Sequence, residues 1–360
     1  MEIFFDSKRY DALFNCSSYR IDDVPFEQRQ NVPFGVSMII IFFIFVVDLI
    51  INNPLHAICL CAMRNFLAHS SAYKVMFLMG LGHICCLSVT ALLTGIFSLI
   101  GAVFCSLPIL NFFAGSVALF SWALTTSLSV LLALERCAEQ TFPNLAKTLF
   151  AGRRIWGWIL AVLAYSIYYG FFTIPLTFSG LTANWQFDPH VGYLDNSNGQ
   201  NLYWNSVDVI HTIVVAIALP TLYLLFVVML SLKLTQITKL PMAEQKMRKS
   251  VFVQVFVLSS ALTVFAVNYT LLNFVSVPDI MVSINMYLWV LLDGVPPLIY
   301  LSLNASIRAE CLRILRRRNS QQKLVTTFGR HSRRTHLAMG TMNEFMPTKM
   351  IVNNFVDSHI

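Results

Sequence analysis

Residues 108–136 read PILNFFAGSVALFSWALTTSLSVLLALER, and this stretch decides the class of fold. The segment from Pro108 to Leu134 contains no charged residue. It is longer than the roughly 20 apolar residues that a helix needs to cross a bilayer. The first charges, Glu135 and Arg136, come together at its end. The stretch therefore predicts a membrane-spanning helix that ends at a membrane–water boundary.

Two similar apolar stretches precede this one and four follow it. The predicted spans are 34–62, 74–100, 108–135, 155–178, 206–232, 250–275 and 281–303. Composition agrees, because 56% of the residues are hydrophobic and 12% are charged, whereas about 25% are charged in soluble domains. We expect an all-α membrane protein, a seven-transmembrane helix bundle with a short amphipathic eighth helix.

Lys and Arg are sorted between the connections. Beyond residue 33 they occur only in 63–73, with Lys74 at its edge, in 136–154, in 233–249 and after residue 303. The connections 101–107, 179–205 and 276–280 contain none. Short cytoplasmic loops retain Lys and Arg during insertion. The pattern predicts a plasma-membrane protein with an extracellular N-terminus and a cytoplasmic C-terminus.

The segments outside the spans also differ in composition. We expect 1–33 to be an extracellular tail, 304–318 an amphipathic helix at the membrane surface and 319–360 a disordered cytoplasmic tail. Basic residues of the amphipathic helix would attract anionic lipids. Cys311 is a candidate for palmitoylation, with a buried thiol as the alternative.

The predicted outer tail carries two features of extracellular chemistry. Asn15-Cys16-Ser17 is a glycosylation sequon. Of the eight cysteines, only Cys16 and Cys105 fall on the predicted outside, where two thiols favour a disulfide. We expect a bridge that tethers the tail to the outer end of the third span. Two separate thiols remain the alternative, because a sequence does not fix connectivity.

Motifs at the inner ends of spans 3 and 7 resemble those of rhodopsin-like G-protein-coupled receptors. Such receptors carry an acid followed by Arg where Glu135 and Arg136 stand. The segment 296–300, PPLIY, resembles their Asn-Pro-x-x-Tyr segment and ends at Tyr300, with Pro296 in place of Asn. In an activation switch, Glu135 would hold Arg136 at rest, and Pro297 would loosen the helix by removing a hydrogen bond. An interfacial anchor is the alternative role for Arg136.

Asp48, His83 and Asp293 are ionisable residues inside predicted spans. Burying such a charge costs at least about 2.5–3.5 kcal/mol, so each indicates a functional site. His83 stands where rhodopsin-like receptors carry an Asp that binds sodium. Our hypothesis is that His83 replaces this cation by pairing with Asp293 or Asp48. A static polar network is the alternative, and the three residues lack the spacing of metal ligands.

Most of the chain, from Tyr10 to Arg308, resembles the nematode chemoreceptors, in particular serpentine receptor class T. The resemblance is carried by the segments KVMFLMG at 74–80, GAVFCSLP at 101–108 and LLALERC at 131–137. It implies a receptor of sensory neurons, with the sensory cilium as a location, that detects a small environmental or pheromone-like molecule. It also implies signalling through a heterotrimeric G protein, with arrestin and a receptor kinase as further partners and without enzymatic activity or a cofactor.

The ligand site is expected in the outer half of the bundle, between spans 3, 5, 6 and 7. Asp208 and His211 share one helix face and are the first candidates. The other candidates are Phe112, Phe113, Leu119, Trp122, Tyr269, Asn273 and Tyr287. This mostly aromatic wall would suit a small, largely apolar ligand, although ordinary helix packing is the alternative for each aromatic residue.

Three other classes of membrane protein stay open. A ligand-gated channel subunit would need polar stripes along a pore, and insect odorant channels place the N-terminus inside. A secondary transporter would need interrupted helices and usually an internal repeat, which the two halves of this chain do not show. An intramembrane enzyme would need paired catalytic residues at one depth, for which His83 with Asp48 is the only arguable pair.

Overall fold

The computed structural model describes residues 6–17, 19–20, 24–47, 55–68, 70–193, 202–232, 242–272 and 279–318. The chain divides into two units, Met1–Cys311 and Leu312–Ile360. Asp48 and Asn273, which the sequence placed in the polar network and in the ligand site, lie outside the described residues, as does the predicted tail 319–360.

The described elements are almost all helical. In chain order, the α-helices are α1 (Ser7–Phe14), α2 (Phe26–Arg29), α3 (Val32–Phe42), α4 (Leu55–Arg64), α5 (Ser71–Leu87), α6 (Thr94–Leu99), α7 (Pro108–Thr141), α8 (Pro143–Phe150), α9 (Arg154–Phe172), α10 (Ser206–Leu232), α11 (Met242–Leu272), α12 (Asp279–Gly294) and α13 (Pro296–Leu303). A further helix, α14, covers 305–318. Two short strands, β1 (Thr177–Ser179) and β2 (Asn184–Gln186), pair antiparallel.

Five helical segments are long and apolar enough to cross a membrane: Phe26–Val46, Ser71–Leu99, Pro108–Glu139, Arg154–Phe172 and Ser206–Met229. Helices α12 and α13 make a sixth if they count as one span bent by 43°. Leu55–Arg64 and Phe256–Leu271 are shorter apolar helices, in the first and sixth predicted spans. The described residues thus form an all-α bundle of the expected class.

Two π-helical turns interrupt otherwise regular helices. Phe43–Val47 continues α3, and Ser88–Leu93 joins α5 to α6. In α12 and α13 the interruption has a covalent cause, because Pro296 and Pro297 have no N–H to donate. Helix α11 runs without a break, consistent with the lack of proline in its sequence. The regular α-helical pattern is therefore interrupted in the first, second and seventh predicted spans.

One end of the bundle, which we call the disulfide end, is covered by the N-terminal segment and the β-hairpin. Cys16 and Cys105 form a disulfide, as the sequence predicted. Leu13 and Phe14 of α1 are buried against Phe104, Phe112 and Tyr203. The hairpin lies close to α7, where a Cβ on Gly115 would meet the Leu176 carbonyl oxygen at 1.7 Å. Only glycine allows this approach.

The hairpin also reaches into the core of the bundle. Asn111 bonds the Phe178 backbone twice, accepting from its N–H at 2.7 Å and donating to its carbonyl oxygen at 3.0 Å. The buried indole of Trp185 donates to Thr94 Oγ1 at 2.7 Å. These bonds satisfy polar groups that would otherwise be costly to bury. The hairpin and the N-terminal segment together close this end.

The opposite end, which we call the Glu135 end, contains the short helix α8 and the start of α14. Predicted connection 136–154 is not a loop, since α7 continues to Thr141 and α8 follows. Asn304 caps α14 by accepting from the Ile307 N–H at 3.1 Å. Helix α14 thus covers almost all of segment 304–318, and the position of this segment at the membrane surface stays a prediction.

Candidate functional site

An aspartate lies close to the start of helix α10, a position that stabilises a negative charge. Asp208 lies in the first turn, where the helix dipole stabilises negative charge. The Asn205 side chain caps this turn by accepting from the Asp208 N–H at 3.1 Å. His211 follows three residues later on the same face. The cap and the helical spacing thus place both side chains toward the neighbouring helices.

Asp208 is bonded by two tyrosines from other helices. The Tyr169 hydroxyl of α9 donates a short hydrogen bond to Oδ1, and the Tyr269 hydroxyl of α11 donates to Oδ2 at 3.2 Å. The aspartate is 1% exposed. Unlike Asp293 and Glu139, which pair with His83 and Arg136, Asp208 has no cationic partner among the described residues. Within the described part of the chain, its side-chain donors are hydroxyl groups alone.

His211 extends this arrangement to α7. Its Nε2 lies 2.8 Å from Thr126 Oγ1, and its Nδ1 lies 3.0 Å from the Tyr165 hydroxyl of α9. The ring centroids of His211 and Tyr169 are 5.0 Å apart. We call the six residues Thr126, Tyr165, Tyr169, Asp208, His211 and Tyr269 the Asp208 cluster. It joins α7, α9, α10 and α11 through side chains only.

The chemistry of the Asp208 cluster suits recognition of a small polar group. Carboxylate oxygens accept hydrogen bonds, while tyrosine, threonine and neutral histidine can both donate and accept. Each bond in the cluster can therefore be exchanged for one to an incoming hydroxyl, carbonyl or amine. The phenol rings add apolar surface beside these groups.

Trp122, another predicted ligand residue, packs next to this cluster. Its ring meets Phe265 at a centroid distance of 5.2 Å and Trp289 at 6.3 Å. Phe265 in turn stacks on Tyr269 at 6.1 Å. Trp122 is thus linked to Asp208 through two aromatic rings. Leu119 lies buried in the same core.

The remaining predicted ligand residues lie elsewhere. Phe112 is covered by α1, with ring distances of 5.4 Å to Phe14 and 5.9 Å to Tyr10, and Phe113 packs edge-on against Phe112. Tyr287 bonds Ser37 at 2.7 Å and packs on Phe34 of α3, so it faces the first helix. The structure does not bring these three residues to Asp208, because the N-terminal segment and α3 occupy their surroundings.

A second polar group, the Asp293 cluster, consists of His56, His83 and Asp293. His83 Nδ1 lies 2.6 Å from Asp293 Oδ1, and both side chains are buried. This is one of the two pairings that the sequence suggested. His56, which the sequence analysis did not single out, lies 3.2 Å from the Asp293 carbonyl oxygen through its Nε2. The cluster joins the first, second and seventh predicted spans.

Glu135 and Arg136 do not bond each other, contrary to the expected switch at rest. The buried Glu135 accepts a short hydrogen bond from the Ser71 hydroxyl of α5. Arg136 instead pairs with Glu139 at 2.7 Å, one helical turn further on. Neighbouring helix positions point in different directions, so adjacent residues cannot easily meet. Pro297 and Tyr300 are buried, and the Tyr300 hydroxyl has no hydrogen-bond partner among the described residues.

The Cys311 thiol is not open to an acyl-transfer enzyme in this arrangement. The residue is 2% exposed, and its sulfur lies 3.8 Å from the Ile58 carbonyl oxygen. This burial agrees with the alternative, a buried thiol, and palmitoylation of Cys311 stays a prediction. Asn15 of the sequon is exposed, as a glycan requires, and its side chain accepts from the Ser17 N–H at 2.8 Å.

His190 lies beside the disulfide at the disulfide end of the bundle. Its ligand atoms and the sulfurs of Cys16 and Cys105 are within 4.8 Å of one another. Sulfurs joined in a disulfide are not thiolates, so this group does not form a metal site. Burial lowers the pKa of the His190 imidazole, and burial raises the pKa of the Tyr193 hydroxyl nearby.

Sequence reasoning missed Thr126, Tyr165, Tyr169 and His56. The spacing of Tyr165 and Tyr169 was a usable signal, because residues four apart share one helix face. Two hydroxyls on one face of an apolar helix indicate a polar partner on a neighbouring helix. His56 gave a weaker signal, since its role depends on a carbonyl oxygen more than two hundred residues away in the chain.

Comparison with known proteins adds independent information. The family model described as "Serpentine type 7TM GPCR chemoreceptor Srt" matches residues 3–324. Serpentine receptor class T-55 of Caenorhabditis elegans is 22% identical over 244 residues, which cover 68% of this chain and 65% of that relative. The aligned part therefore spans slightly less than two thirds of the relative's length. From the family match across nearly its whole length, the chain belongs to the Srt family of serpentine seven-transmembrane chemoreceptors.

Proposed function

We propose that this protein is a chemosensory G-protein-coupled receptor that binds a small environmental or pheromone-like ligand at the Asp208 cluster and activates a heterotrimeric G protein. The observation that carries the proposal is the buried Asp208, bonded by hydroxyls from two other helices and without a cation among the described residues. A ligand that takes over one of these bonds changes what holds α9, α10 and α11 together. Its preference for one helix arrangement then shifts the population.

The proposed orientation places the disulfide end outside the cell and the Glu135 end in the cytoplasm. A disulfide persists in an oxidising compartment, which supports this direction. If Asn15→Gln migrates faster on a gel than the native protein, this difference would support glycosylation of the tail. Protease protection of a tag at residue 1 in intact cells would contradict the orientation.

The Glu135 end offers an apolar surface for a G protein. Phe142 is 60% exposed, and Leu145 and Leu149 of α8 are also exposed. A cavity of about 420 Å³ is lined by residues 141–145. Exposed apolar groups of this kind suit contact with a protein or with the membrane, and we assign these to the G protein. Arrestin and a receptor kinase remain proposed partners from the receptor class, for the serines and threonines of the tail.

The experiment is a ligand screen on receptor in nanodiscs, with nucleotide exchange on a heterotrimeric G protein as the signal. Asp208→Asn keeps the shape of the side chain and removes its charge. We expect it to lower the potency of any active ligand at least about tenfold, because hydrogen bonds to charged groups are worth about 1.5–3 kcal/mol. Arg136→Ala should give no exchange.

Asp188→Asn is the matched control, since it makes the same change in a partly exposed acid of the hairpin connection. It should respond as the native chain does. Equal potency of the native protein and Asp208→Asn would contradict the ligand site. A ligand-evoked current or substrate uptake that needs no guanine nucleotide would favour a channel or a transporter.

A further inference from the structure

Helix α12 ends at a break that removes the helical donors of two carbonyl oxygens, those of Leu292 and of the buried residue Asp293. The Asp293 carbonyl would normally accept from the N–H of residue 297, or of residue 296 in a tighter turn. Both residues are proline and have no N–H. The next N–H, that of Leu298, donates to Val295 at 2.9 Å. The Asp293 carbonyl must therefore find its partner elsewhere.

His56 of α4 lies where that partner is needed. Its Nε2 is 3.2 Å from the Asp293 carbonyl oxygen, and its Nδ1 is 2.8 Å from the carbonyl oxygen of Phe45. The histidine is 2% exposed. Phe45 belongs to the π-helical turn after α3. One imidazole thus connects two irregular backbone segments in different helices.

Further contacts hold α4 and the π-helical turn against the break. A Cβ on Gly294 would lie 2.4 Å from the Phe45 ring, so only glycine lets this ring pack on α12. The Cys59 thiol, one helical turn after His56, faces the Pro297 carbonyl oxygen at 3.9 Å. The Asp293 carboxylate is bonded separately by His83. His56 therefore acts on the backbone, and His83 on the side chain, of the same residue.

We propose that His56 is a positioning residue that sets the 43° bend between α12 and α13 by supplying the donor that Pro296 and Pro297 lack. Carbonyl oxygens only accept, so a neutral imidazole donates to Asp293 or to Phe45 but not to both. Exchange between these two acceptors would release α13, which carries Tyr300. The link to activation rests on the proposed function, whereas the bond itself does not.

A double-mutant cycle tests the bond without a ligand or a G protein. We expect His56→Leu to lower the melting temperature of the purified protein by about 5 °C, because a buried carbonyl loses its donor. Pro297→Ala returns an N–H to the position that normally serves Asp293. In that background, His56→Leu should lower the melting temperature by less than half as much. Equal losses in both backgrounds would overturn the proposal.

His83→Leu is the matched control, since it removes the other imidazole at Asp293. Its partner is the carboxylate, which Pro297→Ala does not replace, so its cost should be the same in both backgrounds. If His56→Leu does not fold, His56→Gln takes its place, because the shorter reach of its amide weakens the bond. An additive result for His56→Gln would equally overturn the proposal.

A second measurement separates positioning from general stability. A fluorine label at Ser302→Cys, with the exposed Cys61 and Cys85 replaced by serine, reports on α13 by NMR. His56→Leu should add a second signal, and the further substitution Pro297→Ala in the same protein should remove that signal. A single unchanged signal in His56→Leu would contradict the proposed bend control. We also expect His56→Leu to raise nucleotide exchange without ligand. If the melting and NMR results hold but exchange does not rise, this outcome would count against the proposed function and not against the bond.

Discussion

The two ends of the bundle are held together by different kinds of interaction. At the disulfide end, a covalent bridge, a buried N-terminal helix and a hairpin with two-way backbone bonds cover the helices. At the Glu135 end, single side-chain bonds hold the elements together, such as Ser71 of α5 to Glu135 of α7 and Lys74 to the Gly152 carbonyl in the turn before α9 at 2.8 Å. Moving helices apart therefore requires more free energy at the disulfide end.

This difference indicates where a change of helix arrangement can occur. The Asp208 cluster lies on the side of the disulfide end, next to α9 and the start of α10. The Asp293 cluster lies at the bend that leads to the Glu135 end. If the proposed function holds, a signal would pass from a fixed end, which contains the proposed ligand site, to an end whose bonds are individually weak. The following predictions test this comparison, beginning with the largest effect.

Breaking the disulfide should have the largest effect on stability. Cys16→Ser combined with Cys105→Ser removes a cross-link between residues 89 apart. We expect a loss of about 2–4 kcal/mol, because the unfolded chain gains conformational freedom. Thermal unfolding in nanodiscs measures this loss. Replacing the buried but unbridged Cys86 by serine is the control, and a smaller loss for the double variant than for Cys86→Ser would contradict the comparison.

Loss of the hairpin anchor should have the next largest effect. Asn111→Ala leaves both the N–H and the carbonyl of Phe178 without a side-chain partner. Buried unpaired groups of this kind cost about 1–3 kcal/mol. Hydrogen exchange should then become faster at the Phe178 amide. Unchanged protection of that amide would show that the hairpin is held by other contacts.

The corresponding change at the Glu135 end should act mainly on function. Ser71→Ala removes the hydroxyl that Glu135 accepts from, and it should cost about 1 kcal/mol of stability. We expect ligand-independent nucleotide exchange to rise severalfold, since this bond joins α5 to α7. Ser302→Ala is the control, because its exposed hydroxyl bonds only its own helix. Basal nucleotide exchange equal to that of the control would argue against weak contacts between helices at the Glu135 end.

The smallest predicted effect is a pH dependence of the disulfide end. Burial lowers the pKa of His190, with Asp188 acting in the opposite direction. Below the unfolded value of about 6.5 the unfolded state binds more protons, so stability should fall as the pH is lowered from about 7.5 to about 5. The change should be below about 1 kcal/mol. His190→Gln should flatten the melting temperature across this range, and an unaltered pH profile would contradict the assignment.

Sequence reasoning recovered part of the candidate site. Asp208, His211 and Tyr269 meet in one cluster, and His83 meets Asp293, because these polar groups stand out in apolar helices. Phe112 and Tyr287 were placed in the same site and lie elsewhere. Aromatic residues are common throughout the bundle, so their type alone does not separate a ligand site from helix packing.

The amino-acid sequence by itself determined the membrane class and the helical bundle and left Cys16 and Cys105 as the one candidate disulfide pair, because apolar length, charge sorting and cysteine position are local properties of the chain. The tertiary structure alone decided that Arg136 pairs with Glu139, that α1 covers Phe112 and that His56 serves the Asp293 carbonyl. These contacts depend on how helices rotate and bend against one another. Residues far apart in the chain set those rotations jointly through packing, and no local pattern contains that information.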